Sequence, residues 1–218
     1  MKARQTGFTL VEIAIVLVII GLLLGGILKG QEMITQAKIK NVMADFSGIS
    51  AAYHGYQDRY RRLPGDDNGA AARWTDLAAA TDDGNGNGVV AGAYNGAGNI
   101  ESRNFWLHLR KAGFVAGTGK DQPFNALTGM LGVQTGDAAG AAAMLDGANG
   151  FVGLIMCSAN LPDKIAIAVD TQMDDGLSQK GAVRAIAQAA PNPAVDNSAA
   201  AANYAETGSN VYTICRAL

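Results

Sequence analysis

An apolar run that begins at Phe8 and holds no charged residue between Ile13 and Leu28 constrains this chain more than any other feature. With residues 8–11 it makes a segment of about 20 residues, the length that a helix needs to cross a bilayer. One carboxylate, Glu12, stands inside that run. An ionisable group at membrane depth costs about 2.5 to 3.5 kcal/mol on insertion scales, so its default reading is functional and it calls for a partner. The plain alternative is a glutamate that snorkels to the interface at a helix end. Upstream, Lys2 and Arg4 supply a basic start. The order differs from that of a secretory signal, because the small residue able to mark a cut, Gly7, precedes the apolar stretch instead of following it. Cleavage there would leave the hydrophobic helix on the mature chain.

The helical pattern continues beyond the apolar run. Ile39, Val42, Phe46, Ile49, Tyr53, Tyr56 and Tyr60 recur at alternating steps of three and four, with Lys38, Lys40, Asp45, Gln57 and Asp58 between them. This spacing predicts one stripe on a helix reaching from near Phe8 to about Tyr60, roughly 80 Å long. Leu63-Pro64-Gly65 is the expected exit, since proline disfavours helix in the residue before it. The three tyrosines are bulky for a coiled-coil seam and suit packing against a sheet. Within the anchor, Gly21 with Gly25 and Gly26 with Gly30 form GxxxG pairs, which either let neighbouring helices approach closely or reflect the general frequency of glycine in membrane helices.

The string Gly7-Phe8-Thr9-Leu10-Val11-Glu12, followed by Ile13-Ala14-Ile15-Val16, resembles the class III leader of type IV pilins and type II secretion pseudopilins. The resemblance implies cleavage between Gly7 and Phe8 by a prepilin peptidase and N-methylation of Phe8. It also implies a partner for Glu12: the amino terminus of a neighbouring subunit as helices bundle into a filament. Lys2 and Arg4 would hold the leader in the cytoplasm. The proline that many true pilins carry further along is absent, its place falling at Lys29. Residues 63–67, 106–113 and 174–176, with 183–185, are similar to a proteobacterial group of prepilin-like proteins.

Beyond the helix the chain has room for one modest globular domain, since 49% of its 218 residues are hydrophobic. Residues 73–80 and 104–112 read as short helices, the second with Phe105, Trp106 and Leu109 on one face and Gly113 as its stop. Residues 151–157, 164–169 and 211–215 read as strands; in the middle one Ile165, Ile167 and Val169 alternate with Lys164, Ala166 and Ala168. The Ala/Gly-rich residues 136–143 and 185–205 carry little core-forming material and are expected to be loops or poorly ordered helix. Cys157 and Cys215 are the only cysteines. An even pair in a translocated domain is read as a disulfide, the alternative being two buried thiols.

Little in the chain points to other chemistry. The net charge of −2, made two units more negative by loss of Lys2 and Arg4, argues against a nucleic-acid stripe, and no basic cluster exceeds Arg59, Arg61 and Arg62. His54 and His108 belong to no HExxH or zinc spacing. Gly117-Thr118-Gly119-Lys120 lacks the first glycine of a phosphate loop and is followed by Asp121 instead of Ser or Thr. No nucleophile motif is present, so an enzyme is not expected. Two acidic stretches could hold a hard cation such as calcium, Asp82, Asp83, Asn85 and Asn87 in one and Asp170, Asp174 and Asp175 in the other. The first lacks the bidentate glutamate of a calcium loop, and Asx turns without metal satisfy the same pattern.

The expected organisation is therefore a leader at 1–7, a transmembrane and assembly helix at 8–29, an amphipathic helix at 30–62 and an α+β head with glycine-rich loops at 63–218. In fold class this is a long N-terminal helix packed against a small antiparallel sheet, as in pilins. The resemblance implies a structural filament subunit. Its partners would be copies of itself or related pilins, the prepilin peptidase, an inner-membrane assembly platform and, before assembly, the membrane. It would reside in the inner membrane with its head outside the cytoplasm, then in a cell-surface or periplasmic filament. Two alternatives stand beside it: a minor or tip subunit whose head binds a surface or ligand through the loops around 82–99, and a non-polymerising single-span membrane protein with an extracytoplasmic binding head.

Overall fold

The computed structural model describes residues 9–136, 143–146, 149–195 and 203–218. By their contacts the residues fall into two units, Met1–Lys38 and Ile39–Leu218. Helix α1 spans Leu10–Tyr60. In the first unit it is long and apolar enough to cross a membrane, and residues 10–28 are exposed.

In the second unit α1 supplies the stripe that the spacing predicts. Ile39, Val42, Phe46, Ile49, Ala52, Tyr53 and Tyr56 are buried, and Tyr60 packs partly buried against them. The helix stops because Arg61 takes a left-handed conformation, φ 55°, while its N–H still bonds the Gln57 carbonyl at 2.8 Å. The break thus precedes Leu63-Pro64-Gly65. Gly65 makes the turn that follows at φ 91°, where a side chain would come within 2.6 Å of the Glu101 carbonyl, so glycine is required there.

The remaining elements are α2 (Ala70–Arg73), α3 (Ala79–Asp82), α4 (Glu101–Lys111), β1 (Leu131–Thr135), β2 (Ala143–Asp146), β3 (Asn149–Phe151), β4 (Leu154–Pro162), α5 (Asp163–Met173), β5 (Val183–Ala187) and β6 (Val211–Ala217). The main sheet has the order β1-β4-β6-β5, antiparallel throughout, and β2 pairs with β3 separately. Strand alternation divides the buried side chains between two cores. Leu131, Val133, Met156, Val183, Ala185 and Ile214 join the stripe of α1, with Phe105, Trp106 and Leu109 of α4. Ile155, Cys157, Ile186 and Cys215 instead meet Tyr94, Met144, Phe151 and Val195. Cys157 and Cys215 are register partners on β4 and β6 and are joined by a disulfide.

Both sheet edges are covered by the chain itself. Along β1, the Val90 and Tyr94 N–H groups donate to the side chains of Thr135 and Gln134. Along β5, the Ala185 N–H reaches the Ser178 carbonyl and the Val183 N–H reaches Asp174.

Several sequence expectations are corrected. Residues 164–169 are not a strand but the body of α5, whose buried face is Ile165, Ala166 and Val169. Small alanines made a helical face look like strand alternation. The helix expected over 73–80 is replaced by α2 and α3, with Trp74 extended between them and its ring edge-on to Tyr60 at 5.6 Å. The strand expected over 151–157 is divided, β3 ending at Phe151 and β4 beginning at Leu154. Strands β1 and β5 were not anticipated; β5 runs into the stretch 185–205, which had been expected to hold little core material. Of the expected loop 136–143, residues 137–142 lie outside the described residues.

The disulfide closes a 58-residue separation, which in the chain-entropy model stabilises the fold by about 4 kcal/mol as an upper figure. Denaturant unfolding with and without reductant is expected to show a lower midpoint for the reduced protein. The Cys157→Ala, Cys215→Ala double variant should match the reduced protein and no longer respond to reductant.

Candidate functional site

The functional residues expected at the start of the chain divide at Thr9. Lys2, Arg4, Gly7 and Phe8 lie outside the described residues. Glu12 is exposed in the first turn of α1, and its Oε2 accepts hydrogen bonds from the Thr9 N–H at 2.8 Å and the Thr9 hydroxyl at 2.7 Å. The Glu12 N–H donates back to the Thr9 Oγ1 at 3.3 Å. This is a capping box: threonine precedes the helix, glutamate follows three residues later, and each serves backbone groups that the helix leaves unpaired. The carboxylate therefore has a partner within its own chain. Among the described residues, nothing lies within 4 Å of where a side chain would stand at Gly21, Gly25, Gly26 and Gly30.

In the head, the glycine-rich loop read as a candidate calcium loop surrounds a carboxylate. Asp66, 4% exposed, accepts the N–H groups of Gly86 at 2.7 Å and Asn87 at 3.1 Å on Oδ1, and that of Gly88 at 2.7 Å on Oδ2. Successive amides of this kind form an anion-binding nest. Glu101 fastens the two ends of the same loop, Oε1 taking the Asn85 N–H and Oε2 the Ala91 N–H. The predicted ligands have other duties. Asp82 pairs with Lys120 at 2.6 Å, and Asp83 accepts the Ala71 N–H. Asn85 and Asn87 each cap the amide two residues on, as Asx turns do.

His108 joins this loop to the exit of α1. Its Nδ1 accepts the Gly65 N–H at 2.9 Å and its Nε2–H donates to the Asp82 carbonyl at 2.7 Å, an arrangement that only the neutral ring can make. Burial holds its pKa below the ordinary histidine value; Asp67 and Asp83 oppose that shift and Arg73 adds to it. Fully buried Asp67 takes the Tyr56 hydroxyl at 2.7 Å, the Gly69 N–H, and an ion pair with Arg73, whose guanidinium lies over the Tyr60 ring. These groups form a structural polar core. Sequence reasoning gave Asp66 and Asp67 only as part of the 63–67 resemblance, where the signal was an acidic pair directly after the Pro-Gly exit, and passed over Glu101.

The other acidic stretch does converge. Asp170, Asp174 and Asp175 offer ligand atoms all within 4.8 Å of one another. Burial raises the Asp170 pKa, the neighbouring carboxylates adding to the effect. All three have donors in the protein: Tyr204 and Gly176 for Asp170, Val183 for Asp174 and Leu177 for Asp175. Three carboxylates supply part of the six to eight oxygens that calcium takes. Between the loops, Thr81, Asp83, Asn85, Ile100, Glu101 and Asn104 contribute to an open cavity of about 460 Å³.

Two outcomes follow for the head. Asp66→Ala leaves the Gly88 N–H without its acceptor and takes one of two acceptors from the Gly86 and Asn87 N–H groups, and is expected to lower unfolding stability by about 1–3 kcal/mol in denaturant titrations. Because His108 binds its proton less readily in the folded protein than in the unfolded chain, its contribution is whole above pH about 6.5 and declines as pH falls below that value. Stability measured between pH 7.5 and 5.5 should therefore drop, and His108→Asn, which retains an acceptor for the Gly65 N–H, should flatten that slope.

No curated protein and no solved structure matches the chain. One family model does, that of the prokaryotic N-terminal methylation motif, over residues 2–28. Those residues include the Gly7-Phe8 junction, Thr9, Glu12 and the apolar run. The chain carries at its start the signal motif of type IV pilins and pseudopilins.

Proposed function

We propose that the protein is a structural filament subunit of the pilin or pseudopilin type, cleaved between Gly7 and Phe8 by a prepilin peptidase and methylated on Phe8. The observation that carries this reading is the methylation motif at residues 2–28, continuous with a helix whose first part is apolar and exposed. In lipid that surface is solvated by acyl chains, and in a filament by the same surface of neighbouring helices. Between lipid and helix bundle there is no hydrophobic transfer to gain, so association depends on close packing and on polar contacts. Gly21, Gly25, Gly26 and Gly30 supply the first, since no described residue fills the space beside them. Glu12 supplies the second by meeting the amine of a neighbour's Phe8. Removing one member of such a pair leaves the other buried and uncompensated, at a cost of about 3–5 kcal/mol.

A tip or minor subunit is the second reading, favoured by the polar cavity among the loops 81–104. Both readings share the processing step, and a non-polymerising single-span protein lacks it. Mass measurement of the mature amino terminus is expected to give a chain starting at methylated Phe8. A chain that retains residues 1–7 contradicts both filament readings. Glu12→Val is expected to be cleaved normally yet to be missing from sheared or sedimented filaments. Assembly of that variant at the wild-type level contradicts the role given to the carboxylate.

A further inference from the structure

The nest around Asp66 is built from a chemically labile sequence. Asn-Gly occurs at 68–69, 85–86, 87–88, 95–96 and 149–150. Asparagine is thermolabile, and a following glycine, having no side chain, does least to hinder attack of its own backbone nitrogen on the asparagine Cγ. In that step the nitrogen–Cγ bond forms and the glycine proton goes to solvent, while the Cγ–Nδ2 bond breaks and Nδ2 takes a solvent proton and leaves as ammonia. Water then opens the succinimide to aspartate or isoaspartate. The fold nevertheless requires such a sequence here. Gly86 and Gly88 hold φ at 76° and 88°, the left-handed region that turns successive amides toward one anion, and Asn85 and Asn87 close the Asx turns between them.

We propose that Asn85 and Asn87 are latent deamidation sites that the Asp66 side chain holds shut. Each attacking nitrogen is bound to that carboxylate: the Gly86 N–H donates to Oδ1 and the Gly88 N–H to Oδ2, both at 2.7 Å. Attack requires the nitrogen to release this bond and take on negative charge, and a carboxylate in contact opposes that charge. The carbon under attack is restrained as well, since Asn85 Oδ1 accepts the Asn87 N–H and Asn87 Oδ1 the Val89 N–H, both at 2.9 Å. The two sites differ in what remains once the Asp66 side chain is lost. The Gly86 N–H keeps a second acceptor, the Asp66 carbonyl at 3.0 Å, whereas the Gly88 N–H has none among the described residues. Asn95 supplies the contrast, because the Gly96 N–H bonds the neutral Ala93 carbonyl at 2.9 Å and not Asp66.

The test incubates the full-length protein in detergent at mildly alkaline pH and follows deamidation residue by residue through peptide mass mapping. Denaturing the wild-type protein is expected to speed deamidation at Asn85 and Asn87 by about ten-fold or more, the rate equivalent of one charge-assisted hydrogen bond. Asp66→Asn keeps the size of the side chain and removes its charge. It is expected to speed Asn87 by a similar factor and Asn85 by less, with Asn95 unchanged, and Asp66→Ala should give the same order. Wild-type rates at Asn87 in both variants overturn the proposal, as do equal rates in folded and denatured wild-type protein. Slower deamidation in the variants also overturns it, since Asp66 would then be the base that draws off the glycine proton. An equal rise at Asn95 assigns the protection to the folded state as a whole and removes the role given to Asp66.

Discussion

The structure depends on burial of one helical stripe, from Ile39 to Tyr56. Its residues lie 0–9% exposed, and the sheet, α4 and α5 all contribute side chains to the core it heads. Burying each large side chain of this kind is worth about 1.5–3 kcal/mol relative to exposure, so the stripe outweighs any single polar contact in the head. The apolar residues nearer the amino terminus of the same helix are exposed. One element thus holds two solvation problems, and the core of the second unit answers one of them.

Polar groups in the head serve to fix irregular backbone. The residues between α1 and α4 have few repeating hydrogen bonds, and buried carboxylates substitute for them: Asp66 and Glu101 together accept five amides from residues 85–91. Asp163 does the same at the start of α5, accepting the N–H groups of Lys164, Thr207 and Gly208, and these bonds hold its carboxyl below the usual range against the effect of burial. Loops rich in glycine and asparagine are ordered here by anions from the protein's own side chains. The side chains of the oxygen-rich stretch 82–87 take part in turns and an ion pair beside an internal nest.

How much of this was legible depended on whether the signal was periodic and long. The stripe of α1 repeats over six turns, and the apolar run before it is longer than any ordinary core helix requires, so both stood out; so did the paired cysteines. Helix α5 did not, because Ala166 and Ala168 sit where a strand would place its solvent face, and the decisive spacing Ile165, Val169, Met173 extends past the window that looked alternating. Strand β1 contains Gly132, which is forced by the Tyr94 carbonyl lying 2.2 Å from any added side chain, a packing demand that only the folded chain displays. Strand β5 buries small residues such as Ala185 and was hidden by composition. At the amino terminus, Glu12 was legible as an anomaly, but its bond to Thr9 was passed over even though threonine three residues before glutamate is a recognisable cap.

The self-covered rims of the sheet bear on how copies of this head tolerate crowding. A bare strand offers unpaired amides to any similar strand nearby, and that hazard grows with local concentration. In the proposed polymer, heads would lie close to one another. With residues 90–94 laid along one rim and 174–178 along the other, backbone-mediated fusion between heads is blocked. Neighbours are then recognised through side chains, so contacts between heads can diverge in sequence without risk of uncontrolled sheet growth.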